Sequence, residues 1–172
     1  ITKPYTLNPL PYKLVGNIPY YITGKLLRVV GDLDRKPELT VLTIQKEVAE
    51  RIVAQPPHMN LLAAAVQIWA EPKIIGYLKQ SDFDPPPEVK SAIIKLESRK
   101  QNLESRMISN YYKLIKIIFK QPRKTLLNNF ATGLKIGKEQ ILEMLRKYGL
   151  NEKTRPQELN IETLQKLVLE IR

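Results

Sequence analysis

The sequence predicts part of an α/β sheet followed by a small all-helical module, and three observations carry that expectation. Over residues 1–98, extended segments alternate with segments whose apolar residues recur at helical spacing. Beyond a polar stretch at 97–105, every patterned segment is helical. Charge divides at the same place, with 12 basic and 10 acidic residues over 1–98 against 16 and 7 over 99–172. We therefore expect two units, 1–98 and 99–172.

The elements follow in order. Lys13-Leu14-Val15 is a short buried strand, and Thr23 is placed to cap a helix whose Leu26, Leu27 and Val30 share one face. Leu39 to Ile44, rich in β-branched residues, is a second strand. Val48, Ile52 and Val53 give a helix over Glu47 to Ala54, which Pro56-Pro57 stops. Asn60 to Ala70 is a helix apolar on most sides, hence buried. Two further strands, around Ile74 to Leu78 and Ser91 to Leu96, are joined by a loop without a helix and predict an antiparallel edge, as in the second half of a doubly wound domain. In the helical part, Met107 to Lys120 forms one helix, and Pro122 kinks it or opens another at Arg123. Lys138 to Tyr148 is closed by Gly149, and Asn160 caps a last helix over Ile161 to Ile171.

Composition narrows the chemistry. The 172 residues carry 28 Lys+Arg against 17 Asp+Glu, a formal charge of +11 with a pI near 9.8, which points to a polyanionic partner, nucleic acid first. With no cysteine there is no disulfide, thiol nucleophile or thiolate metal site. The single histidine, His58, follows Gln55-Pro56-Pro57 in a turn and cannot build a histidine metal cluster, so no metal site is expected. The longest apolar run, Leu61 to Val66, is far short of the roughly 20 residues a membrane span needs, so we expect no membrane contact and a cytoplasmic protein. From Ser105 to Lys138 eight basic residues occur with no acidic one. Lys113, Lys116 and Lys120 follow i, i+3, i+7 and share a face of a continuous helix, with Arg123 and Lys124 beyond. Such a run either solvates a helix face or meets phosphates; the missing acids favour phosphates.

Two short motifs carry the chemistry. Val15-Gly16-Asn17-Ile18-Pro19-Tyr20 lies at the exit of a predicted strand, where open α/β sheets bind ligands. Asn17 Oδ1 and a neighbouring carbonyl suit the amino group of a flat base, Tyr20 suits its ring, and Pro19 stiffens the turn. The same spacing also fits an ordinary strand-to-helix turn with a core tyrosine. In Phe83-Asp84-Pro85-Pro86-Pro87-Glu88-Val89, three prolines are expected to hold the backbone extended and present Phe83 as a second wall of a slot for one extruded base. Alone, that segment equally fits a packed polyproline stretch.

Together, Asn17 to Ile22, Gln45-Lys46-Glu47-Val48-Ala49-Glu50-Arg51, Phe83 to Ala92, and Phe119-Lys120-Gln121-Pro122-Arg123-Lys124-Thr125-Leu126 with Asn128 resemble the ribosomal RNA adenine N6-dimethyltransferases. The helical tail and Arg123 to Leu126 are more similar to the small-subunit (KsgA) type than to the large-subunit (Erm, macrolide-resistance) type. The resemblance implies the C-terminal half of a Rossmann-like, S-adenosylmethionine-dependent methyltransferase domain followed by a helical RNA-binding domain. It implies dimethylation of two adjacent adenosines near the 3′ end of small-subunit rRNA during ribosome biogenesis. It also implies roles: Asn17, Pro19, Tyr20 and Phe83 at the reacting base, Asn17 and Ile18 beside the cofactor, and Lys113, Lys116, Lys120, Arg123 and Lys124 on RNA. The adenine amino nitrogen would attack the cofactor's methyl group in line, with hydrogen bonds at Asn17 favouring a more pyramidal amine. A non-catalytic RNA-binding or assembly protein is the competing class. A DNA adenine methyltransferase is a weaker rival, since its related turn does not predict this tail.

The sequence departs from that family at one point. The family's Gly-x-Gly-x-Gly cofactor loop and the acidic residues for the cofactor's ribose and adenine are absent, and no two of the seven glycines lie within one residue of each other. With Ile1 in place of an initiator methionine, we expect a chain that starts late in the methyltransferase domain, inactive alone, whose exposed sheet edge invites self-association.

Overall fold

A computed structural model describes residues 11–100, 105–134 and 136–170. Residues 101–104 of the polar stretch, Lys135 of the basic run and Ile171 at the expected end of the last helix lie outside them. Four strands, β1 (Lys13–Asn17), β2 (Leu39–Gln45), β3 (Ala70–Leu78) and β4 (Ser91–Ser98), form one sheet in the order β1-β2-β4-β3. β1 and β2 are parallel, whereas β4 runs antiparallel to both β2 and β3. The expected antiparallel edge is therefore a hairpin inserted so that β4 is internal and β3 is the edge. That placement tolerates Pro72, which has no N–H to give a second neighbour.

Alternation decides the two faces. Leu42 and Ile44 of β2 and Ile94 and Leu96 of β4 are buried against α1 (Thr23–Asp32), α2 (Lys46–Ile52) and α3 (Leu61–Gln67). On the other face Val15 is 73% exposed and Ile75 is also exposed, whereas Tyr77, paired with Ala92 beyond the register shift at 74–76, is exposed at the edge of the helix-covered face. Two expectations change. α1 is not capped by Thr23: a 3₁₀ turn at Tyr20–Ile22, closed by Ile22 N–H donating to Pro19 O, already carries the chain into the helix, and Thr23 Oγ1 is buried. α3 stops at Gln67, so Ala70 opens β3; Asn60 caps it by accepting from the N–H groups of Leu62 and Ala63.

The helical part comprises α4 (Ser105–Ile118), α5 (Leu126–Gly133), α6 (Lys138–Lys147) and α7 (Ile161–Val168). Gly149 ends α6 with φ of 71°, a left-handed conformation that a Cβ disfavours, and the Gly149 and Leu150 N–H groups return to Arg146 O and Leu145 O. α4 docks on α3 through two hydroxyls: buried Tyr111 donates to Ala64 O at 2.9 Å, and Tyr112 to Ala65 O at 3.3 Å. Met59 N–H, donating to Gln157 O, adds a second tie between the sheet part and the helices.

This docking is sensitive to base. Burial raises the ionisation of Tyr111 well above its ordinary value of 10.0. Tyr112 is pushed up to about 12, first by burial and then by the Asp32 charge, with Arg28 opposing. A raised folded-state value means stability is complete below pH 10 and declines as pH climbs through 10 toward 12. We predict that Tyr111→Phe lowers stability at neutral pH by about 0.5–1.5 kcal/mol and flattens that alkaline decline. Urea midpoints measured across pH check both, and an unchanged alkaline slope would contradict the docking role.

Candidate functional site

The sheet register collects the motif residues at one end. Asn17, the last residue of β1, lies opposite Thr43 near the end of β2, while Gln45 and Leu78, the last residues of β2 and β3, both pair with Ser91, the first residue of β4. The carboxyl ends of three strands and the loop entering β4 thus share one rim, where an open α/β sheet presents its ligand-binding groups. Asn17 is exposed at this rim, and among the described residues its side chain has no partner. Ile18 is half-buried, and Pro19 starts the 3₁₀ turn at φ −56°.

Tyr20 is not a core residue. Half-buried, its hydroxyl is hydrogen-bonded to Ser91 Oγ, and Ser91 is fully buried, so the ring's position is fixed by the strand that follows the Phe83 loop. Its neighbour Tyr21 is 88% exposed at the same turn. Phe83 is half-buried directly after a 3₁₀ turn at Gln80–Asp82. The loop is not the straight extended segment its three prolines suggest. It bends at residues 83–85 and 88–89, the Asp84–Pro85 peptide is cis, and Gln80 Nε2 donating to Glu88 O at 2.7 Å closes it into a compact arch. Lys46 N–H donates to Lys90 O, fastening the start of α2 to the base of that arch.

The basic residues separate into two sets. Lys113 and Lys116 are exposed on α4. α4 ends at Ile118, so Lys120 does not continue their face, and no helix opens at Arg123. Lys120, Arg123 and Lys124 are instead exposed on the 119–124 turn, because Thr125 caps α5 by accepting from Asn128 N–H and delays the helix start to Leu126. Asn129 holds that turn: its Oδ1 accepts from Gln121 N–H, and its Nδ2 donates to the carbonyls of Gln121 and Thr125 at 3.1 Å. Ser91 and Asn129 are the two positioning residues that the motif reading missed. Asn129 carried a sequence signal, since asparagine is a poor residue inside a helix unless its amide has a specific task. Ser91 carried none.

Among the described residues no group of three or more His, Cys, Asp or Glu is arranged to hold a metal ion, and no helix is long and apolar enough to cross a membrane.

Comparison with known proteins gives one consistent result. The family model described as ribosomal RNA adenine dimethylase matches residues 7–172. A ribosomal RNA small subunit methyltransferase A of Dehalococcoides mccartyi is 38% identical over 161 residues, 93% of this chain and 55% of that protein. The same-named protein of onion yellows phytoplasma is 35% identical over 158 residues, 91% of this chain and 58% of that protein. The chain thus spans a little over half the length of these curated relatives. Among solved structures, a dimethyladenosine transferase from Plasmodium falciparum superposes with a TM-score of 0.78 at 26% identity, covering 96% of this chain and 68% of that one. The 23S rRNA methyltransferase ErmE superposes at 0.71 with 20% identity, a likeness of fold. Both likenesses support the C-terminal half of a Rossmann-like methyltransferase domain with a helical tail.

The turn's dependence on one side chain is measurable. Asn129→Ala orphans part-buried carbonyls and an N–H, so we predict a loss of about 1 kcal/mol, read as a lower urea midpoint at unchanged m-value. An unchanged midpoint would show that the turn holds itself.

Proposed function

The chain belongs to the ribosomal RNA adenine dimethylase family, and from that premise we propose that it supplies the base-binding and RNA-binding parts of an enzyme dimethylating N6 of two adjacent adenosines near the 3′ end of small-subunit rRNA. The observation that carries this reading is the shared rim of Asn17, Tyr20 and the Phe83 arch, set by the pairing of Gln45 and Leu78 with Ser91. An aminated, flat base meets there an amide oxygen, backbone carbonyls and two aromatic side chains. The small-subunit substrate is favoured over a large-subunit one because relatives at 35–41% identity bear the small-subunit name, while the large-subunit enzyme shares fold at 20%.

In this reading, Asn17 Oδ1 and the carbonyl of Ile18 or Pro19 accept hydrogen bonds from the adenine amino group. Those bonds hold the nitrogen in place and oppose delocalisation of its lone pair into the ring. Tyr20, anchored through its hydroxyl to Ser91, and Phe83 hold the ring, so positioning and not a charged base lowers the barrier. When bound, S-adenosylmethionine supplies an electrophilic methyl group. The unpartnered amide of Asn17 and the adjoining Ile18 suit one polar edge of that cofactor, whereas no glycine-rich loop for close backbone approach occurs in the 172 residues. By themselves these residues are therefore expected to transfer no methyl group. Lys120, Arg123 and Lys124 neutralise phosphates and bring the RNA to the rim.

Labelled-methyl incorporation into small-subunit rRNA, with RNA affinity measured in parallel, tests the division of labour. In an enzyme carrying this segment beside a complete glycine loop, Asn17→Ala should lower kcat by about 100-fold with RNA affinity retained. The triple variant Lys120→Glu, Arg123→Glu, Lys124→Glu should weaken RNA binding and flatten its salt dependence by about one unit for each phosphate no longer neutralised. Near wild-type kcat for Asn17→Ala would refute its role, an unaltered salt slope would remove the three cations from the RNA-binding surface, and label transferred by the 172 residues alone would refute their inactivity.

A further inference from the structure

A cleft of about 1030 Å³ opens between the sheet part and α4, lined by Gly31, Trp69, Ser98 and Tyr112 among others. Its walls lie at the end of the sheet opposite the base rim, because Glu38 precedes β2, Trp69 precedes β3, and Ser98 ends β4. Among the described residues seven basic side chains line it, including Arg28, Arg99, Lys100, Lys113 and Lys116, against three acidic ones, Asp32, Asp34 and Glu38. Asp32 is engaged with Arg28 at 3.3 Å. Lys113 and Lys116 thus belong to this cleft, and Lys120, Arg123 and Lys124 do not line it.

The end wall is built for an acceptor. Trp69 is 5% exposed, and its indole Nε1 is buried without a hydrogen-bond partner among the described residues. A buried donor left unpaired costs about 1–3 kcal/mol, so such a group calls for an explanation. Gly31 supplies room beside it: a Cβ built there would lie 2.8 Å from Trp69 Nε1 and 2.9 Å from the Tyr112 hydroxyl oxygen. Both polar atoms thus pack against the bare Gly31 backbone, where a Cβ would press on them. Above it, the Arg28 guanidinium sits 5.4 Å from the centre of the Tyr112 ring, and Arg99 is held by its Nε donating to Gln67 O at 2.9 Å.

We propose that this cleft is a second RNA-binding site, taking a stretch of phosphodiester backbone, with the Trp69 indole N–H donating to a phosphate or ribose oxygen. The inference rests on the RNA-modifying reading above and extends it to a surface of which the sequence marks only Lys113 and Lys116. The volume lies at the upper limit of the roughly 300–1,000 Å³ of small-molecule sites, which suits a run of backbone better than one isolated phosphate. The seven residues of β2 set the cleft about 20 Å from the base rim. One RNA can then present a base at one end of the sheet and backbone at the other.

Trp69 is the single tryptophan, so its emission reports on this cleft alone. The 172-residue chain is titrated with a short adenosine-containing RNA hairpin, emission being followed alongside filter retention of labelled RNA. RNA is expected to change Trp69 emission, with the change reversed by salt. The exposed double variant Lys113→Ala, Lys116→Ala should raise the midpoint about tenfold, and Gly31→Ala should abolish the change while RNA retention persists through the 119–124 turn. If Gly31→Ala fails to fold by circular dichroism, the lysine pair decides. RNA retained with silent Trp69, or an emission change unaffected by the lysine pair, overturns the cleft and leaves the base-rim reading standing. Inorganic phosphate at millimolar concentration reproducing the full change would make this an isolated anion site and overturn the RNA assignment. Absence of any RNA retention would overturn both readings.

Discussion

Ser91 sits where three separate constraints meet. Its backbone terminates the pairing of β4 with both β2 and β3, through Gln45 and Leu78, and its buried hydroxyl holds Tyr20. A one-residue slip of β4 would send Ile94 and Leu96 to the open face and move the Phe83 arch along the rim. The hydrophobic cost of burying the wrong face therefore protects the geometry of the site. Packing energy in the sheet is what fixes the polar groups of a loop.

In the proposed reading the rim and the helices divide the work of meeting a polyanion. The rim offers an uncharged amide, carbonyls and aromatic rings, suited to distinguishing a base. Cations are concentrated on the helical part, where contact with phosphates would read charge and not sequence. Tyr111 and Tyr112 lock the two together by bonding to consecutive carbonyls of α3, so α4 carries its lysines at a fixed place relative to the sheet. The exposed apolar face bearing Val15 and Ile75 is the opposite of that docked surface: an α/β sheet of this kind is normally covered on both sides.

Much of this was legible in the residues. The β-branched run Leu39 to Ile44 and the extended segment Ser91 to Leu96 foretold both central strands, and Gly149 and Asn160 do the capping expected of them. Asn17, Tyr20 and Phe83 were singled out by type and by position at strand exits, and the sheet register brings them to one rim. What was not legible depends on contacts between distant residues. Nothing local to Thr23 shows that a preceding 3₁₀ turn replaces its cap, and nothing in Lys120 shows that α4 ends two residues earlier. The Tyr20–Ser91 bond joins residues 71 apart, and the Trp69–Tyr112–Gly31 wall joins three elements. Helical spacing placed Lys113 and Lys120 together; the fold sends them to different surfaces.

The central claim is that the Asn17–Tyr20 turn and the Phe83 arch together receive one adenine. Backbone amide NMR of the chain, titrated with a short single-stranded RNA containing one adenosine and then with the same RNA bearing N6-dimethyladenosine, tests it most directly. The account predicts shifts at Asn17, Tyr20 and Phe83 that differ between the two RNAs, beside shifts near Lys120 to Lys124 that do not. Shifts confined to the basic surfaces, identical for both RNAs, would contradict it.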